Sequence, residues 1–365
     1  LLSLYNKFDR TSNKPKEHDD MRRIGMFAVV LLVVASGFTF AQSSSPTRVG
    51  CILGVGGLGD LSFNDLVYAG LQKAQKELGI QFDYVEPQSI SDFETYLRKM
   101  ASMKTYSVII SVGYDQVDPL TKVAPQFPGQ KFAIIDESLN LPNVVSYVSK
   151  EEEGSFLVGA LAGFLKKANT AKNPTIGFIA ALDIPLLDKF YAGYEAGARY
   201  VNSSVKVIAN YIGGNAPFSD ITTAKEIALK QFNQGADIIY HAAGGSGLGV
   251  FQAAKEKNFY AIGVNSNQNP IDPNHIIASM LKRVDTAAYK IALAAKQGNL
   301  KTGETVILGL ADGGIDYTVE GSKVTIDPKI LKAVNDIKQL MIDGKLTAPD
   351  THAKVEAFLK ANTYK

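Results

Sequence analysis

The stretch GVGGLGDLSFND, from Gly54 to Asp65, sets glycines at 54, 56 and 59 in the spacing G-x-G-x-x-G, directly after an apolar run. That spacing suits a loop whose backbone approaches a dinucleotide's pyrophosphate, with Glu86 further on as the ribose-binding acid. The next residues argue against it. A phosphate-binding loop runs straight into a helix N-terminus, whereas Asp60, Ser62 and Asn64 intervene here, and a carboxylate repels a pyrophosphate. Other reactive residue types follow apolar runs in the same way. Gly113 and Tyr114 do so in SVGYDQ, Asp136 in IIDES, His241 in YHAAGGSGLG and Asn265 in AIGVNSNQN. GGSGLG falls short of the nucleophile elbow G-x-S-x-G, because Leu248 stands at the last glycine, and a Ser246–His241 pair has no acid in view. Asp60 and Asp136 could act as acid and base in nucleoside cleavage, but no water-activating or metal signature accompanies them.

These groups share a site only if the elements behind them are ordered to bring them together. Apolar runs at 48–55, 81–85, 107–112, 131–136 and 144–148 read as strands, and a second series follows at 175–181, 206–212, 237–242, 259–264 and 275–281. Helical patterns lie between them, at 65–78, 93–103, 155–167, 186–201, 221–232, 249–257 and 286–296. This alternation predicts an α/β fold of doubly wound parallel sheets with helices on both faces. So many strands exceed one comfortable open sheet, and the series divides near 148–154. Two lobes are therefore expected, lobe 1 over 48–150 plus about 266–302 and lobe 2 over 151–265 plus about 303–345. Ligands bind at the carboxyl ends of strands in such sheets, so lobes facing each other enclose a cleft. Acidic, amide, aromatic and glycine residues at those ends suit a neutral polar ligand.

The whole chain narrows the classes further. Its 365 residues are 46% apolar and 20% charged, with net charge +2, which gives no reason to expect a nucleic-acid partner. One cysteine, Cys51, excludes an internal disulfide, and the four histidines lie too far apart for metal-ligand spacing. No metal and no cofactor are expected. From Met21 to Ala41 a basic start, an apolar core and a small-residue end describe a secretory signal. Its core is shorter than the ~20 residues of a membrane-spanning helix. The polar residues 1–20 read as an upstream extension. Cys51 lies too far past the apolar core to be a lipid-attachment site and reads as part of the first strand. The protein is expected outside the cytoplasm, periplasmic or tethered to the outer face of the cell membrane, where a nicotinamide pool is absent.

Taken together, GDLSFND, FAIIDES, NVVSYVSKEEEGSFLVGALAGFL, IGFIAALD, FYAGYEAGARYVN, IIYHAAGGSGLGVFQAAKEK, AIGVNSNQ and ASMLKRVDTAAYKIA closely resemble the basic membrane protein family. These are purine nucleoside receptor-like substrate-binding proteins of ABC transporters, and the similarity covers roughly residues 48–315. The resemblance implies a periplasmic-binding-protein type I fold, two lobes on a hinge that close around a nucleoside or base. It implies a binding protein and not an enzyme, acting as a monomer with an ABC permease and its ATPase. Carried over by motif, it implies that Asp60 and Asn64 bind the ligand and that Tyr68 and Phe190 sandwich the base. It further implies ligand roles for Asp136, Gly245 and Lys282. Asn265 stands where the family usually has an aspartate that grips the ribose with the lysine, and Leu61 replaces a common lysine. A free base, a nucleoside held differently, or a small anion met by Lys282 remain open as ligands. The rivals from other classes are a nucleoside hydrolase using Asp60 or Asp136 and a ligand sensor without a transport role.

Overall fold

The computed structural model describes residues 46–168 and 173–364. The expected upstream extension and export signal lie outside the described residues.

The chain first lays down β1 (Arg48–Ile52), α1 (Phe63–Leu78), β2 (Gln81–Val85), α2 (Asp92–Met103), β3 (Val108–Val112), α3 (Val117–Val123), β4 (Phe132–Ile135) and β5 (Val144–Ser149). A second series follows: α4 (Glu151–Ala168), β6 (Thr175–Ala180), α5 (Pro185–Val201), β7 (Lys206–Tyr211), α6 (Ile221–Asn233), β8 (Ile238–Ala242), α7 (Leu248–Lys257), β9 (Tyr260–Asn265) and β10 (Ile276–Lys282). The last elements are α8 (Val284–Lys296), β11 (Thr305–Leu308), β12 (Ile315–Thr318), α9 (Pro328–Ile342) and α10 (Val355–Ala361). They form two 6-stranded sheets, in the orders β11-β5-β4-β3-β1-β2 and β12-β10-β9-β8-β6-β7. Pairing is parallel throughout except between β10 and β12.

Side-chain character sets each strand's place. In β3 and β6 every residue is buried, as a central strand covered on both faces requires, while the edge strands β2 and β7 are half-exposed along their length. Each sheet has a core on either face. In the first lobe Val67 and Leu71 of α1 meet Ala288 and Ile291 of α8 on one face, and Phe93 and Leu97 of α2 pack with Leu120 of α3 on the other. In the second lobe α4, α5 and α9 cover one face through Phe156, Tyr194 and Ile337, and α6 and α7 the other through Ala228 and Val250.

The division between lobes differs from the expected one. β10 pairs with β9 in the second sheet, so within 266–302 the return to the first lobe comes only after Lys282, with α8. β11, expected in the second lobe, pairs with β5 and is an edge strand of the first sheet. The chain thus passes between lobes three times, at β5–α4, β10–α8 and β11–β12. Hydrogen bonds hold the crossings side by side: Lys150 N–H donates to Leu308 O at 2.9 Å and Arg283 N–H to Gly314 O at 2.9 Å. Leu310 N–H donates to the Glu153 carboxylate at 2.7 Å.

Candidate functional site

Strand ends of both lobes converge on one cavity, with about 1050 Å³ of space between its atoms, the solvent at its mouth included. The first lobe contributes the segment after β1, Gly113 to Asp115 after β3, and Asp136 after β4. The second contributes Phe190 from α5, Phe218 after β7, Gly244 and Gly245 after β8, Asn265 at the end of β9, and Lys282 at the end of β10.

The glycine-rich loop is shaped by carboxylates of the chain itself. Asp60 accepts backbone N–H bonds from Ser62 at 2.8 Å, Asn64 at 2.8 Å and Asp65 at 3.2 Å. The N-terminus of α1, where a pyrophosphate would lie, is therefore filled. Burial pushes the Asp60 carboxyl up from its ordinary range, against the pull of those three N–H groups. Glu86 accepts from Leu58 N–H at 2.8 Å, a loop brace and not a ribose partner. Asp65 accepts from Gly59 and Leu61, with Gly59 at φ +93°, a conformation that favours glycine. Asn64 spends its oxygen on Gly54 N–H at 2.9 Å, which leaves its NH₂ group to offer the cavity.

Lys282, 1% exposed, is the centre of the site's charge. Its ammonium contacts the Asp136 carboxylate and lies 2.8 Å from Glu151 at the start of α4, with Lys189 on the far side of Glu151 at 3.0 Å. Burial raises the Glu151 pKa, but Lys282 and Lys189 overcome it and hold the group below its usual range. Burial wins at Asp136, raising it in spite of Lys282. A buried ammonium matched by two carboxylates has no charge left over for an anionic ligand. Above it stand two rings, Phe63 of the first lobe with its centroid 5.6 Å from the ammonium, and Phe190 of the second at 5.3 Å. Tyr114 and Phe218 meet across the lobes with centroids 6.0 Å apart. Beside them burial pushes the Asp115 carboxyl up to about 6.

Of the expected site residues, Asp60, Asn64, Asp136, Phe190, Gly245, Asn265 and Lys282 all line this cavity. Tyr68 does not. It packs edge-on against Phe82 and Tyr84, at 5.7 and 5.0 Å, on the outside of the first lobe. The cause is helix direction: α1 starts at the cleft and runs away from it, about 1.5 Å per residue, so the ring at the cleft is Phe63, its first residue. Phe63, Tyr114, Asp115 and Phe218 also line the cavity, and Glu151 and Lys189 stand behind it. The SFN and GYD loops carry three of these in plain view. Glu151 gives no such signal, since an EEE run ordinarily reads as a solvated helix start.

Gly244 and Gly245 of the GGSG loop line the cavity, and its Ser246 serves packing. Ser246 Oγ accepts from Asp220 N–H at 2.7 Å and donates to Pro217 O at 2.9 Å, tying down the segment that carries Phe218. His241 is fully buried with both ring nitrogens unpartnered, and a Cβ on Gly247 would fall 1.9 Å from its ring. The two residues form no catalytic pair. Among the described residues no cluster of three or more His, Cys, Asp or Glu side chains could hold a metal, and no helix is long and apolar enough to cross a membrane.

Residues 48–351 match the family model described as ABC transporter substrate-binding protein PnrA-like. The chain is 31% identical to the ABC transporter nucleoside-binding protein BmpA of Lactococcus lactis, over 86% of this chain and 92% of that one. It is 30% identical to an uncharacterized lipoprotein of Pyrococcus furiosus, over 93% and 96%. Among solved structures it is similar to an ABC transporter system solute-binding protein from Aeropyrum pernix, with TM-score 0.76 and 31% identity over 87% of this chain and 98% of that one. The two parallel-sheet lobes are those of ABC solute-binding proteins of the periplasmic-binding-protein type I kind.

Proposed function

The chain belongs to the PnrA-like ABC transporter substrate-binding family, and from that premise we propose that its cleft captures a purine nucleoside for import by a permease and its ATPase. The observation that carries this reading is the convergence of both lobes on one cavity, with Phe63 of the first lobe and Phe190 of the second both close to the charge-balanced Lys282. A purine offers two flat faces to aromatic rings and an edge of donors and acceptors to Asn64, Asp115 and the backbone at Gly245. The compensated Lys282 favours an uncharged ligand over a nucleotide or another anion. Asp60 and Asp136, engaged by backbone N–H groups and by Lys282, are poorly placed for hydrolysis. The protein acts outside the cytoplasm, exported by the segment over 21–41, as a monomer facing the permease.

Isothermal titration with inosine, guanosine, adenosine and the free bases tests the reading. Nucleoside binding in the micromolar range or tighter, with the ligand recovered intact by chromatography, is the expected result. No heat with any nucleoside, or release of a free base, overturns it.

A further inference from the structure

The two lobes meet at a polar seam that involves no ligand. Asn265 Nδ2 donates across the cleft to Ser62 Oγ at 2.8 Å. Ser266 Oγ donates to Leu61 O at 2.7 Å, and Gln268 Nε2 reaches the same oxygen at 3.3 Å. We propose that this seam latches the lobes in the closed arrangement before any ligand arrives, with Asn265 and Ser266 as its positioning residues. The proposal rests on the reading that the lobes open and close around a small molecule.

Both sides of the seam are fixed before they meet. On the first lobe, Asp65 holds Leu61 N–H and Asp60 holds Ser62 N–H, which aims the Leu61 carbonyl outward. On the second, Gln268 is buried, its side chain accepting from Val264 N–H at 2.8 Å and its own N–H donating to Ser279 Oγ at 3.0 Å. Backbone strain marks the same place. Among the described residues, the non-glycine residues at positive φ are Leu61, Lys104, Asp136, Asn258 and Asn265. Lys104 and Asn258 end helices, where that conformation is common. Asp136 and Asn265 line the cavity, and Leu61 and Asn265 each contribute to the seam from opposite lobes. Left-handed residues of this kind persist only where their surroundings over-determine them. The amide at 265 donates to Ser62 Oγ and the hydroxyl at 266 to Leu61 O, so each cross-lobe bond has a donor on the second lobe and an acceptor on the first. Pre-closing the cleft removes part of the conformational penalty on ligand affinity.

Spin labels on exposed positions of α2 and α7, through Thr95→Cys and Gln252→Cys, report the distance between lobes; the buried Cys51 stays unlabelled. Measured without ligand by double electron–electron resonance, the parent should show one compact population. Ser62→Ala and Ser266→Ala should each add a longer distance, raising the open-to-closed ratio about 2- to 10-fold per lost bond. Ser266→Thr, which keeps the hydroxyl, should restore the parent distribution, and unchanged melting temperatures show that each variant folds. Identical ligand-free distributions in parent and variants, or a parent already open, overturn the latch. Adding inosine then tests the separate reading. If it fails to re-close the Ser266→Ala protein while the ligand-free shift stands, the nucleoside assignment fails and the latch does not.

Discussion

Phe63 and Tyr68 share a helix, and only Phe63 faces the cavity. Replacing Phe63 with leucine should weaken inosine binding about 2- to 10-fold, the worth of one aromatic face, while Tyr68→Leu should leave the dissociation constant unchanged; calorimetry on the two variants checks this. His241 gives a second prediction. Burial lowers its pKa to about 4. The unfolded chain takes up that proton near pH 6.5 and the folded one only near 4. Its contribution to stability is therefore full above pH 6.5 and falls by up to about 3 kcal/mol as the pH drops towards 4. Urea unfolding of parent and His241→Gln between pH 7 and 4 should show the variant losing that part of the slope. Much of the site was legible because each strand-end loop carries its chemistry within a few residues of an apolar run. Glu151 was not, because its partner Lys282 comes from a distant element and only the fold brings them together.

Helices α4 and α5 approach until backbone touches backbone. A Cβ on Gly197 would fall 2.0 Å from the carbonyl oxygen of Phe156, and one on Gly159 would fall 2.1 Å from that of Tyr194. In an exposed helix Gly→Ala gains about 1 kcal/mol. At Gly197 the clash is with main chain, and over-packing of about 1–3 kcal/mol should outweigh the gain. Gly197→Ala should thus lower the thermal midpoint, and it should weaken ligand binding as well, since α4 and α5 carry Glu151 and Phe190. The same elements show what sequence patterns convey. Buried strands such as β3 and β6 stand out as apolar runs. β11 and β12 are four residues each and partly exposed, and nothing local distinguishes them from loop. α4 starts at Glu151, ahead of the expected 155, because its first turn buries carboxylates that the lysines neutralise.

At the scale of the molecule, the three crossings interleave the lobes. β11 closes the edge of the first sheet, and β12 with Val334, Ile337 and Met341 of α9 completes the second. A chain stopped after Asn299 loses both at once, so its circular dichroism melt should lack the cooperative transition of the full protein. During synthesis the same interleaving sets the order of events. When β5 leaves the ribosome its outer edge has no neighbour, and the strand that covers it is made only after the entire second series has been translated. The nascent first half must wait with an open edge, a template for unwanted pairing. Export as proposed would spare the chain that wait, if it crosses the membrane unfolded and assembles both halves together on the far side.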